Sequence, residues 1–78
     1  MHSVKVLGSG CANCERLAAL AGQALNELGR TEQVEKVTDY AAIASYGIAS
    51  TPGIVINGKV VHVGGLPKSE DLARWLTT

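Results

Sequence analysis

The chain has no charge surplus of either sign, no long apolar run and few cysteines, and each scarcity removes a class of function. Seven Lys and Arg balance seven Asp and Glu for a formal net charge of zero. The basic residues are scattered, so the stripe that a nucleic-acid or anionic-membrane partner requires is missing, and neither partner is expected. The apolar stretches fall far short of the roughly 18 residues a spanning helix needs. The N-terminus also lacks the basic, apolar, small-residue order of a secretory signal, so a soluble, cytoplasmic, monomeric protein is expected. No Ser, His and acid combination is evident, and Gly8-Ser9-Gly10 lacks the further glycine or lysine of a phosphate-binding loop. Repeats, linkers and low-complexity tracts are missing too, which leaves one domain over residues 1–78.

What is present suits a compact fold. Hydrophobic residues make up 46% of the chain and charged ones 18%, an ordinary globular balance. A chain this short buries only about 60% of the surface its unfolded form exposes, so its stability margin is expected to be thin.

Val4-Lys5-Val6-Leu7 is β-prone and runs into Gly8-Ser9-Gly10, which predicts a strand with two apolar faces ending in a tight turn. Leu17, Ala18, Ala21, Ala24, Leu25 and Leu28 then fall on one helical face, with Gly29 as the stop. Residues 34–38 read as a second strand in which Val34 and Val37 are out of phase, leaving its register open. Asp39 suits the N-cap of a short helix that would turn Tyr40, Ile43 and Ala44 inward and end at Gly47. Ile54-Val55-Ile56 and Val60-Val61-His62-Val63 flank Asn57-Gly58, the pair that best tolerates the two positive φ angles of a type I′ hairpin. Pro67 fits the first turn of a last helix with Leu72, Ala73 and Leu76 inward and Glu70 and Asp71 at its favourable end. The order β-α-β-α-β-β-α is that of an α/β fold.

The only cysteines, Cys11 and Cys14, stand where the strand pattern becomes the helix pattern. A disulfide closing so small a loop restricts the unfolded chain little, so redox chemistry and metal binding are the live readings. Helical phase puts Cys14 with Leu17, Ala18 and Ala21 facing the core and leaves Cys11 at the helix mouth. There, unpaired backbone N–H groups and the helix dipole favour a thiolate. Such an asymmetry suits exchange: Cys11 attacks a partner disulfide, and Cys14 resolves the mixed disulfide. Gly10, Ala12 and Asn13 are small or neutral and leave the approach open. A second constellation, Thr51-Pro52-Gly53, precedes the hairpin, where a cis Thr51–Pro52 bond would turn backbone groups outward toward a ligand.

Taken together, Gly10-Cys11-Ala12-Asn13-Cys14, Ser50-Thr51-Pro52-Gly53, Val55-Ile56-Asn57-Gly58-Lys59 and Gly64-Gly65 resemble the small glutaredoxin-like thioredoxins, the redox-active disulfide proteins. The resemblance implies a thioredoxin-like fold with a four-stranded mixed sheet flanked by helices. It also implies Cys11 as nucleophile, Cys14 as resolving thiol and Pro52 cis beside them. Thr51 would pair with the bound peptide or glutathione, and Gly64-Gly65 matches the pair that holds the γ-glutamyl end of glutathione. Partners implied are a protein disulfide or small thiol and an upstream reductase, with no cofactor. The motif departs from the family pattern in having no aromatic or proline between its cysteines.

Metal binding stays open beside exchange. Two thiolates supply half of a tetrahedral zinc site, with His2 and His62 as the available completions, whereas Cu(I) is content with two thiolates. His62 otherwise reads as a solvent-facing strand residue. A third reading is a redox-inert adaptor that binds an extended peptide beside Pro52.

Overall fold

The computed structural model describes residues 3–10 and 12–77; Met1, His2, Cys11 and Thr78 lie outside the described residues. The elements run β1 (Val4–Leu7), α1 (Ala12–Glu27), β2 (Val34–Val37), α2 (Tyr40–Ser45), β3 (Gly53–Ile56), β4 (Lys59–Val63) and α3 (Ser69–Thr77). They form a four-stranded sheet in the order β2-β1-β3-β4. β1 pairs parallel with β2 and antiparallel with β3, and β3 pairs antiparallel with β4, so the sheet is mixed. The α/β order and the mixed sheet are those expected.

Alternation along the strands divides the core. Val4, Val6, Ile54 and Ile56 point to one face, where Leu17, Ala18, Ala21 and Leu25 of α1 and Leu72 and Leu76 of α3 cover them. Leu7 and Val55 point to the other, where Ile43 of α2 meets them with Val37, Tyr46, Ile48 and Val60 at the margin. Side chains on successive strand residues emerge on opposite faces, so a strand covered on both sides has no polar phase. This resolves β2: Val34 packs on the α1/α3 face and Val37 on the α2 face, each in parallel register with β1. The strand ends at Val37, one residue before the expected Thr38.

Helix α1 stops as its sequence requires. Gly29 adopts φ +69°, and the N–H groups of Gly29 and Arg30 donate to Asn26 O and Leu25 O at 3.1 and 2.9 Å. This Schellman pair satisfies carbonyls that would otherwise be orphaned. Leu28 falls beyond the last helical residue and is 38% exposed, so it leaves the inward face expected of it. Arg30 then reaches the far end of α3, where Nη1 donates to Leu76 O at 2.8 Å and Nε lies 2.7 Å from Glu32 Oε2. A cation on the C-terminal carbonyls of a helix complements both their lone pairs and the dipole.

The hairpin forms as its turn chemistry predicts, with Asn57 at φ +53° and Gly58 at φ +80°. A bulge between Ile54 and Val55 shifts the β4 register: Ile54 faces His62, and Val55 faces Val60. Val61 therefore packs on the α1/α3 face. His62 comes onto Trp75 of α3, ring centroids 5.7 Å apart, and its Nε2 lies 3.2 Å from Gly65 O. His62 is thus half-buried rather than solvent-facing, because the bulge changes the phase on which that expectation rested. Pro67 also lies outside α3, which begins at Ser69.

Helix α2 is capped by Asp39, whose Oδ2 accepts from Ala42 N at 2.9 Å. Its inward residues are Ile43, at 6% exposure, and Tyr46 just past the helix; Tyr40 is 75% exposed, and Ala44 is exposed as well. Ile43→Ala should accordingly cost about 2 kcal/mol through cavity formation, and Tyr40→Ala less than about 0.5 kcal/mol. Urea unfolding of the two variants measures both, and comparable losses would place the inward face of α2 elsewhere.

Candidate active site

The site gathers at one end of the sheet because three strand ends coincide there. Leu7, the last residue of β1, pairs with Gly53 at the start of β3, and Gly53 pairs with Val63 at the end of β4. The loop after β1, the Thr51-Pro52 approach to β3 and the Gly64-Gly65 exit from β4 are therefore neighbours. Helix α1 begins over the same end, at Ala12, the residue after Cys11 in the chain.

Cys14, in the first turn of α1, is 5% exposed and disulfide-bonded. The sequence holds one other cysteine, Cys11, which lies outside the described residues. Cys14 turns inward as helical phase predicts, and it meets the end of β1 at Gly8. That glycine is itself buried, with its N–H donating to Val37 O at 2.9 Å. Ala12 and Asn13 occupy the exposed side of the same turn. Gly10 is exposed at φ +91°, a conformation that L side chains rarely adopt.

The Thr51–Pro52 peptide bond is cis. Pro52 is buried, and Thr51 beside it is exposed. Thr51 Cβ comes within 3.9 Å of where a Cβ on Gly8 would stand, so Gly8 joins the thiol end of α1 to the Thr51-Pro52 loop. Gly64 donates its N–H to Pro52 O at 2.7 Å, which closes β4 onto that loop. Gly65 is exposed, and its carbonyl is held by His62. Cys14, Thr51, Pro52 and Gly64 thus converge on one end of the sheet, whereas the Gly65 carbonyl is turned to the Trp75 side.

Two neighbours of the site were hidden in the sequence. Tyr40 reads as an inward residue but stands at the rim, its hydroxyl 3.3 Å from Ser9 Oγ in the loop that leads to Cys11. Gly8 reads as part of a turn, yet its lack of a side chain lets Cys14 approach. Its signal was the phase of α1: a helix that buries the third residue of its first turn beside a strand end needs a small residue there.

The rim carries an ion pair. Glu15, beside Cys14, is bonded to Lys36 Nζ at 2.6 Å with both side chains exposed, a geometry that contributes little to stability in water. A cavity of about 280 Å³ lies further along α1, between Leu20, Ala24 and Leu28 and the α3 residues Leu72 and Ala73. It does not reach Cys14.

A family model described as a thioredoxin domain matches residues 2–77. The chain belongs to the thioredoxin family. Among curated relatives it is 30% identical over 77 residues to a thioredoxin of Methanothermobacter thermautotrophicus, covering 99% of this chain and 100% of that one. A thioredoxin of Methanocaldococcus jannaschii is 31% identical over 72 residues, which is 92% of this chain and 83% of that protein. In fold, the chain is similar to thioredoxin-2, described as a component of malaria parasite protein secretion machinery. That likeness has a TM-score of 0.66 at 18% identity and covers 97% of this chain and 82% of the other. Family membership carries thiol–disulfide oxidoreductase activity in its general form. The metal-carrier reading gains no support from these likenesses. Among the described residues no group of three His, Cys, Asp or Glu is placed to hold an ion, and of the two histidines proposed to complete a site His2 lies outside them.

Gly64 gives this end of the sheet a separate test, since it sits at φ +75° and an added Cβ would stand 3.0 Å from Ser50 Oγ. Gly64→Ala should lower stability by about 1–2 kcal/mol, the usual left-handed penalty for an L residue. A urea midpoint within error of the wild type would show that the loop closes on Pro52 without that constraint.

Proposed function

We propose that the chain exchanges a Cys11–Cys14 disulfide or dithiol with a partner through a mixed disulfide on Cys11. In the reducing direction, the Cys11 thiolate attacks one sulfur of the partner disulfide, and the partner's other sulfur leaves as a thiolate that takes up a proton. Cys14, deprotonated, then attacks the Cys11 sulfur. The Cys11–Cys14 bond forms, the mixed disulfide breaks, and the second partner sulfur departs as a thiol. Two electrons pass from the cysteine pair to the partner. An upstream reductase must restore the dithiol, and a reducing cytoplasm is the setting this cycle suits.

The observation that carries the proposal is the buried, disulfide-bonded Cys14 in the first turn of α1 beside the Thr51-Pro52 loop. A shielded thiol cannot meet a bulky partner first but can reach its neighbour three positions away. The start of α1 supplies what an attacking thiolate at Cys11 needs, namely unpaired N–H groups and the positive end of the dipole. Gly10, Ala12 and Asn13 leave room for the partner chain, and Thr51 offers it backbone groups from an exposed loop.

A protein disulfide is the substrate favoured here. Gly64 directs its N–H to Pro52 O and Gly65 its carbonyl to His62. Those two groups are occupied within the fold, so a glutathione γ-glutamyl end would have to be held by others.

Single-cysteine variants test the division of labour, with insulin as the disulfide probe. Cys14→Ser should accumulate a covalent adduct with an insulin chain, visible by non-reducing electrophoresis and mass. Cys11→Ser should form none and reduce insulin at the uncatalysed rate. Equal adduct yields from the two variants would contradict the assigned roles.

A further inference from the structure

Gly8 is buried at the end of β1, and its φ lies outside the positive region that favours glycine, so backbone conformation does not require glycine there. Space does. A Cβ built on Gly8 would fall onto Cys14 Sγ and stand 2.9 Å from Cys14 Cβ, while Thr51 Cβ at 3.9 Å is an ordinary contact. The neighbour in conflict is therefore Cys14 alone, a short side chain on a helix turn that cannot swing away as the tip of a long one could.

We infer that Gly8 is a positioning residue for the exchange reaction: the volume its missing side chain leaves is the seat of the Cys14 sulfur. This rests on the exchange reading above and specifies which step of it the seat serves. Attack of Cys14 on the Cys11 sulfur is an intramolecular displacement, and its rate depends on the sulfur standing close to its target before reaction. A methyl group at residue 8 displaces Cys14 from that position. The first attack, by Cys11 on the partner, does not involve the seat. Gly8 thus acts on the resolving step and leaves the opening step alone, a division that loss of fold stability by itself would not produce.

The test uses stopped-flow reaction of the reduced protein with the aromatic disulfide 5,5′-dithiobis(2-nitrobenzoate). Each step liberates one coloured thiolate: the first when Cys11 attacks the reagent and forms a mixed disulfide with one aryl sulfur, the second when Cys14 attacks Cys11 and displaces that aryl thiolate. The wild type should release two equivalents nearly together. Gly8→Ala, shown to be folded by circular dichroism, should release the first at the wild-type rate and the second about tenfold or more slowly. Two equivalents released at wild-type rates by a folded Gly8→Ala overturn the inference. A wild-type protein that releases no second equivalent overturns the exchange reading and this role with it.

Thermal unfolding of the reduced proteins covers a Gly8→Ala chain that does not fold. Removing the sulfur relieves the closer of the two contacts and leaves only the one to Cβ, so Gly8→Ala/Cys14→Ala should fold where the single variant does not, or melt about 5 °C or more above it. A double variant no more stable than Gly8→Ala alone also overturns the inference.

Discussion

The Cys14 side chain of α1 can lie against the end of β1 because residue 8 has no side chain, and the burial of that thiol depends on this close approach. With the helix seated there, Cys14 is closed off from solvent and lies against the strand end. The Thr51-Pro52 loop borders the same strand end, with Thr51 Cβ 3.9 Å from where a Cβ on Gly8 would stand. A thiol shielded in this way is suited to the resolving role proposed for Cys14. A strand end, a helix phase and one missing methyl group together set the burial of Cys14.

The sheet beneath the site tolerates this because its two inner strands are covered on both faces. β3 is buried throughout, and β1 loses only Lys5 to partial exposure. Fully burying one aliphatic side chain is worth about 1.5–3 kcal/mol, and in so short a chain few such contributions are available. Small ties therefore matter. Asn57 bonds Ser3 through both its N–H and its Oδ1, extending the β1–β3 ladder past the last paired residues. Arg30 fastens the exit of α1 to the end of α3. Gly64 fastens the exit of β4 to Pro52. The last of these ties borders the site, so the rigidity of the Thr51-Pro52 loop is drawn from the sheet edge.

Legibility in the sequence followed the strength of local rules. The face of α1 was readable because one side of that helix is buried along most of its length, and the hairpin because Asn57-Gly58 meets a demand for two positive φ angles that few residues meet. The phase of Cys14 followed from the same helical face. Residues whose surroundings depend on distant partners were not readable. Val34 and Val37 looked out of phase because each serves a different core. His62 looked exposed because a bulge that no residue in β4 announces moves it onto Trp75. Tyr40 looked buried because a helix of six residues is too short for its periodicity to fix a face. Gly8 looked like a turn residue because its constraint is a contact with a helix that sequence places nearby but not how closely.

Exchange of the proposed kind requires the two cysteines to form one reversible two-electron couple. Equilibrating the protein across graded ratios of reduced to oxidised glutathione and counting alkylated thiols by intact mass tests it directly. Both thiols should disappear together, in a single transition of about 30 mV per decade. The exchange reading would be contradicted by a protein that keeps both thiols at every ratio, or that loses them in two independent steps.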